Sequence, residues 1–373
     1  MRCIPGWAPP PRLEWGSAAN FQARRKSPIT PNNVLQFIMP PLYVVQQNSK
    51  LRIRNRRLQV ETENGATEIL ASVPLSQVDQ VVLFGNIGLT TPAIDSLLAQ
   101  NCEVVFLTTR GEYRGRLVGS LTPHVPLRRA QYTRLGEPDF VLEMAKGFVG
   151  AKFQHQRALL MRHNRDRPNP EIDSVLAQIK QASEALPRKT TLSSLMGLEG
   201  STTAAYFRGL RQLFDPAWGF KDRNRRPPRD PVNVLLSFGY TLLTQLASSA
   251  IQTVGLDPYA GFLHEVAYNR PALGLDLLEE FRPAVDGIVL WCCNSRQLTP
   301  QDFTPGPAER PVILSETGQR RFLQAFEQRL DQKFTHPIRD MQFPLRQCLV
   351  EQARQIAGCI QNGTPIYRGM GFR

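Results

Sequence analysis

Cysteine pairs at metal-site spacing are missing from this chain. Its six cysteines (Cys3, Cys102, Cys292, Cys293, Cys348, Cys359) show no C-x-x-C step. That excludes a zinc ribbon and a thioredoxin-type redox motif. Cys292 and Cys293 fall in the apolar run GIVLWCCN, where buried free thiols are expected, and a reducing, cytoplasmic setting fits. No Walker A loop, G-x-G-x-x-G turn or G-x-S-x-G elbow occurs where its chemistry needs it. ATP hydrolysis, dinucleotide chemistry and serine esterase activity are therefore disfavoured. Uninterrupted apolar runs of ~18–20 residues are also absent, so neither a transmembrane helix nor a membrane partner is expected. Acids are in short supply, 32 Asp+Glu against 45 Lys+Arg, for a net charge of +13. Such an excess suits a polyanion, because basic side chains release condensed counter-ions when they bind nucleic acid. A basic surface kept for solubility is the plainer alternative.

What is present divides the chain into three. Residues 1–38 are rich in Pro, Arg and Asn without a steady apolar period. They read as a loosely ordered extension, or as sequence upstream of a natural start at Met39. From 39 to 130 come short alternating or β-branched runs: LYVVQQ, KLRIRNRRLQVET, EILASVPL, QVVLFGNIGLT, EVVFLTT and YRGRLVG. Asn48-Ser49, Asn64-Gly65, Gly85-Asn86 and Arg110-Gly111 separate them as turns, and one short helix is expected from Pro92 with a threonine as cap. This is a compact, mainly β domain. Over 131–373 apolar residues recur at three- and four-residue spacing, as in PDFVLEMAKGFVGAKFQHQRALLMRH and TGQRRFLQAFEQRLDQ. The fold class is therefore α+β, with a larger all-α domain following the β domain. The helix through Val234–Val254 is apolar nearly all round and belongs in the middle of that domain. Gly255 should close it, and Asp257-Pro258 should start the next helix, which would carry His264.

The segment GLDPYAGFLHEVAYNRPALGLDLLEEFRPAV sets His264 shortly before a cluster of acids. Arg270-Pro271 breaks the chain, and a new helix carries ALGLDLLEEF. On it Asp276, Glu279 and Glu280 stand at i, i+3 and i+4 and are expected to share a face, with Leu275, Leu278 and Phe281 toward the core. Three crowded acids call for a cation, arginines or water; a solvated acidic face is the alternative. Glu199, in SLMGLEGSTTAAYF, adds a distant carboxylate. One imidazole and several carboxylates with no thiolate suit Mg²⁺ or Mn²⁺ better than structural zinc. In a basic protein, such a metal suggests chemistry on phosphates. A second feature is GFKDRNRRPPRDPVN, whose Lys221, Arg223, Arg225, Arg226 and Arg229 lie among helix-breaking prolines. It reads as a flexible cationic arm for phosphates, or as a solvated loop. His124, His155, His163 and His336 lack ligand-like company and read as structural.

These residues carry a family resemblance. GLEGSTTAAYF, RNRRPPRDPVNVLLSFGYTLL and GLDPYAGFLHEVAYNRPALGLDLLEEFRP, with PLSQVDQVVLFGNIGLT and VVFLTTRGEYRGRL, occur in the order found in the CRISPR-associated adaptation integrase, the Cas-one endonuclease. The chain resembles that family from about Met39 to its C-terminus. Ala272 and Gly274 lie where the family motif usually has a serine, and the extension before Met39 has no counterpart. The resemblance implies a β-sandwich-like N-terminal domain used for homodimerisation and a helical catalytic domain. It implies that Glu199, His264 and Glu279 bind Mg²⁺ or Mn²⁺, with Asp276 supporting the site or serving as runner-up third ligand. It implies double-stranded DNA as partner, both a protospacer fragment and the CRISPR repeat, together with the small protein Cas-two. The cationic residues above and Arg270 are the expected nucleic-acid contacts. The implied activity is metal-dependent insertion of spacer DNA through attack of a 3′-hydroxyl on a phosphodiester, in antiviral defence. A general nuclease for branched DNA and a DNA-binding scaffold without catalysis are the competing readings.

Overall fold

The computed structural model describes residues 41–64, 66–119 and 124–371. The extension expected over 1–38 lies outside the described residues.

Two four-stranded sheets open the described chain. Strands β1 (Leu42–Val44), β5 (Gln80–Phe84), β7 (Glu103–Leu107) and β8 (Tyr113–Leu117) form the first in the order β1-β5-β7-β8, with β8 antiparallel to its neighbour. The second has the order β4-β3-β2-β6, from β2 (Ser49–Arg54), β3 (Arg57–Asn64), β4 (Ala66–Pro74) and β6 (Ile87–Leu89). The run KLRIRNRRLQVET is not one strand. It folds back at Asn55-Arg56, both at positive φ, into a two-residue hairpin whose turn twist matches the strands it joins. Helix α1 (Thr91–Ala99) follows β6; its cap Thr90 uses the hydroxyl to reach Leu51 O rather than the helix.

Alternation along the strands explains the layering. Val81, Leu83 and Val104 face a small core shared with Leu51, Leu58 and Val60 of the second sheet and with Leu97 of α1. Their neighbours Val82, Phe84, Val105 and Leu107 face the opposite way, into the main core built by the helices. The first sheet therefore serves two cores at once, as a period of two dictates. Phe84 meets Phe238 edge to face at 5.8 Å, tying that sheet to the helices.

The helices are α2 (Val125–Leu135), α3 (Pro138–Asp166), α4 (Pro170–Ala185), α5 (Leu192–Arg211), α6 (Pro231–Val254), α7 (Ala272–Asn294), α8 (Glu316–Leu330) and α9 (Leu345–Asn362). Helix α2 lies across the boundary expected at 130, and α9, almost wholly buried, is one that periodicity did not single out. The helical part also holds four short strands, in the pairs β9 (Phe303–Pro305) with β10 (Val312–Leu314) and β11 (Lys333–His336) with β12 (Met341–Pro344). By length and composition α6 could cross a membrane, but most of its apolar stretch is buried inside the protein. It is the central core helix that the sequence suggested. Asp230 caps its start by accepting from Asn233 N, and Gly255, at φ +96°, closes it.

The helix expected from Asp257 does not form; residues 255–271 are loop. Asp257 caps only a local turn, accepting from Tyr259 N. The buried Asp276 carboxylate on α7 instead draws in three successive backbone N–H groups, those of Phe262, Leu263 and His264. Successive N–H groups in a helix interior are committed to carbonyls one turn back, so the interior of a helix carrying His264 could not offer all three. Gly261 packs so closely on α7 that a Cβ would stand 2.6 Å from the Ala272 carbonyl carbon. Gln131 of α2 holds the other end of the loop, bonded to Asp257 O, Ala260 O and Asp257 N.

Candidate metal centre

A cleft of about 420 Å³ opens where α3, α5, α6 and α7 approach one another, and Glu199, His264 and Glu279 all line it. Each arrives on a different element. Glu199 sits mid-way along α5, at the edge of the stripe that buries Leu195, Thr202 and Tyr206; Thr203, one turn on, donates to Glu199 Oε1 at 2.9 Å. Glu279 lies on α7 with Arg282 at i+3 and Asp286 at i+7, so all three point into the cleft. His264 arrives on the loop pinned by Asp276.

Asp276 is fully buried and its carboxylate is saturated. Oδ2 accepts from Phe262 N and Leu263 N at 2.6 and 3.0 Å; Oδ1 accepts from His264 N at 2.9 Å and bonds His264 Nδ1 at 2.8 Å. It stands behind the imidazole rather than lining the cleft, which leaves no lone pair well placed for an ion. By accepting the Nδ1 hydrogen bond it keeps the proton on Nδ1 and leaves the Nε2 lone pair free, and Nε2 lies 3.8 Å from Glu279 Oε1.

Lys152, on α3, was not among the residues the sequence singled out. Its ammonium, on a side chain only 4% exposed, stands between the two glutamates: 2.6 Å from Glu279 Oε2 and in contact with Glu199 Oε1. Arg282 Nε donates to Glu279 Oε1 at 2.8 Å. Burial alone would push the Glu279 carboxyl up, but Arg282 and Lys152 outweigh it and hold it down to about 2. A signal existed in the sequence: Lys152 falls one turn after the buried Phe148 and Val149. A lysine on an apolar face needs an acidic partner.

Among the described residues no three His, Cys, Asp or Glu side chains close into a ready coordination shell. What stands there is a donor set that fits a hard cation, with an ammonium between two of its members. Glu279 Oε2 is buried and lacks a hydrogen bond of good geometry, which leaves it able to take an ion. Two carboxylates and one imidazole nitrogen match Mn²⁺ or Mg²⁺, not a thiophilic metal.

The expected face of three acids divides in two. Glu280, about 100° round α7 from Glu279, turns away from the cleft. It accepts from Tyr367 Oη, Gln352 Nε2 and Met370 N, fastening the C-terminal segment. Leu278 and Phe281 are buried as expected, and Leu275 is part-buried. Asp286 is also buried, accepting from Tyr206 Oη at 2.7 Å and from Tyr240 Oη. Burial pushes it up to about 6 against those two hydroxyls and Arg282.

The segment 221–230 is loop, as its prolines require, but it is not a free arm. Asn233 accepts from Arg223 Nη1 and Asn224 N and donates to Asp222 O, folding the loop back on α6. Arg223 and Arg225 line the cleft, and Arg223 also lies over the Tyr240 ring at 5.5 Å. Lys221, Arg226 and Arg229 are exposed on the same loop outside the cleft lining, and part-buried Arg270 lies at the end of the His264 loop.

Comparison with known proteins places this geometry. The family model "CRISPR associated protein Cas1" matches residues 42–328. The chain is 38% identical to the CRISPR-associated endonuclease Cas1 1 of Thermus thermophilus, over 87% of this chain and 98% of that protein. It is 35% identical to a CRISPR-associated exonuclease Cas4/endonuclease Cas1 fusion of Rhodospirillum rubrum, over 88% of this chain but 57% of the fusion, so it spans little more than half of that relative. Among solved structures, a casposase bound to integration product superposes with TM-score 0.77 at 23% identity, covering 88% of this chain and 93% of that one. A Cas6-RT-Cas1–Cas2 complex gives TM-score 0.76 at 25% identity, covering 89% of this chain and 36% of that one. The strand-rich start followed by a helical domain is shared with these structures.

Proposed function

Because the chain belongs to the CRISPR-associated Cas1 family, we propose that it is a divalent-metal-dependent DNA endonuclease and integrase that inserts spacer DNA into a CRISPR array. The observation that carries this reading is the convergence of Glu199, His264 and Glu279 on one cleft from an α5 helix, a pinned loop and α7. Those three residues would hold the metal, His264 through Nε2, while Asp276 orients the imidazole. With one nitrogen ligand, Mn²⁺ should support activity better than Mg²⁺, which prefers all-oxygen shells. When bound, the metal supplies Lewis acidity, activating a 3′-hydroxyl or water and stabilising charge on the phosphodiester oxygens.

This chain's own residues do the rest. Asp276 keeps the proton on His264 Nδ1, so that Nε2 stays a donor of electrons. Arg282 holds Glu279 ionised and fixes its rotamer. Arg223 and Arg225, on the loop folded against α6, offer guanidinium groups to backbone phosphates entering the cleft. Breaking one phosphodiester while making another is nearly balanced, so the absence of a nucleotide-binding loop is consistent with strand joining.

The partners follow from the relatives: double-stranded DNA, as for the casposase bound to its integration product, and Cas2, as in the Cas1–Cas2 complex. Homodimerisation through the strand-rich part is proposed on family grounds. The test is joining of a labelled duplex to a repeat-bearing plasmid with Mn²⁺ and the cognate Cas2, beside Glu199→Gln and His264→Ala. Joining by the wild type alone is expected; equal product from all three proteins would overturn the assignment. Equal cleavage of branched DNA with and without Cas2, and no joining, would replace it with a structure-specific nuclease.

A further inference from the structure

A second cationic pocket lies round the flank of α3 and α7, two of the four helices that build the cleft. It is a small cavity of about 60 Å³ lined by His155, Leu159 and Arg162 of α3, Pro283 of α7, and Arg329 and Phe334. Two guanidinium groups meet there. Arg162 is exposed at the mouth, while Arg329 is part-buried, with its plane over the Phe334 ring at 4.9 Å. Among the described residues neither makes an ion pair, and the hydrogen bond Arg329 does make goes to the neutral Gln332 side chain. His155 adds no acceptor, since its ring nitrogens are taken by Glu280 O and Met370 O.

We propose that Arg162 and Arg329 form a phosphate-holding subsite for the DNA strand whose end occupies the metal cleft, gripping one backbone phosphate a few nucleotides from that end. Like charges brought together without an acid are unfavourable unless an anion joins them, and burying one of the two raises that cost. In agreement, burial and the neighbouring Arg162 lower the Arg329 guanidinium to about 10. At about 60 Å³ the cavity has room for ordered water, or for phosphoryl oxygens in its place. Its position suits a strand leaving the cleft. On α3, Gln156 lines the cleft and Arg162 the pocket. Six residues of helix span about 9 Å, close to the ~10 Å that three nucleotides rise at ~3.4 Å each.

This inference rests on the reading that the cleft takes a DNA end, and its test is kept independent of catalysis. In EDTA, affinity is measured for short duplexes carrying a single neutral methylphosphonate at each of the second to sixth linkages from the 3′ end. The proteins compared are the wild type, Arg162→Gln and Arg329→Gln. Wild type should lose about tenfold at one linkage, the size of a lost charge-assisted hydrogen bond. Both variants should bind the unmodified duplex correspondingly weaker and be insensitive to substitution at that linkage. Their salt dependence should be shallower by about one unit of log–log slope. Arg162→Gln changes an exposed side chain and keeps the test valid should Arg329→Gln fold poorly. A wild type with no sensitive linkage, or variants that keep the same sensitivity, overturns the proposal. Inorganic phosphate raising the melting temperature of wild type but not of the variants, with no sensitive linkage, would make this a free-anion site and overturn the strand assignment. Should Glu199→Gln abolish joining while no linkage is sensitive, the subsite alone fails. Should a linkage be sensitive while Glu199→Gln still joins DNA, the metal-site reading fails instead.

Discussion

Replacing Lys152 with methionine keeps the length of the side chain and removes the ammonium lying between Glu199 and Glu279. Glu279, whose side chain is 6% exposed, would keep its 2.8 Å bond to Arg282 but lose the 2.6 Å contact on its other oxygen. Removing one partner from a buried ion pair typically costs 3–5 kcal/mol because the remaining charge stays buried. With Arg282 still in place, a value of about 3 kcal/mol in EDTA is expected. A divalent cation then has the site to itself. At a free concentration one hundred times its dissociation constant it should restore about 2.7 kcal/mol. Urea unfolding of wild type and Lys152→Met, each in EDTA and in MnCl₂, reads both quantities. The expected pattern is a variant markedly weaker in EDTA, with a metal-induced gain larger than that of wild type, where the ammonium must first be displaced. Equal stability of the two proteins in EDTA, or equal gains on adding Mn²⁺, would refute the view that Lys152 stands in the cation's place.

Other perturbations give distinct readouts. Asp276→Ala strips three backbone N–H groups of their acceptor. It should cost at least about 1–3 kcal/mol, the cost of one such unsatisfied group, and weaken Mn²⁺ binding 10–100-fold by calorimetry; unchanged metal affinity would show that His264 needs no support. Asp286, raised to about 6, binds more protons folded than unfolded between its ordinary value and that point. Its contribution to stability is present in acid and lost as pH rises through about 6, a swing of roughly 3 kcal/mol. Asp286→Asn should therefore gain about that much relative to wild type between pH 4 and pH 7 in urea unfolding; a pH-independent difference would contradict it.

The architecture was largely legible because its signals were local. Apolar spacing marked α3, α5, α6 and α8, Gly255 ended α6, and turn residues divided most of the strands. The misreadings share a cause: a long-range contact outweighed a local pattern. Asp257-Pro258 has the chemistry of a helix start, yet a carboxylate nineteen residues beyond it (276 − 257) collects the loop's N–H groups instead. In GFKDRNRRPPRDPVN the charges suggested a free arm, while Asn233, outside the charge run, ties the loop down. Asp276, Glu279 and Glu280 share a face by their i, i+3 and i+4 spacing, yet Glu279 and Glu280 point about 100° apart, and Tyr367, Gln352 and Met370 draw Glu280 away from the cleft. Glu199 shows the opposite case. Nothing around it in sequence specifies a partner, so it enters the ligand set as a distant carboxylate whose role only the family resemblance specifies; Lys152, which meets it in space, was missed for the same reason.

Crystals grown with MnCl₂ and measured at a wavelength where manganese scatters anomalously would locate the ion directly. The account predicts one peak within about 2.0–2.6 Å of Glu199, His264 Nε2 and Glu279 together, with the Lys152 ammonium moved aside. A saturated crystal with no peak in that cleft, or with the ion bound elsewhere, would contradict it.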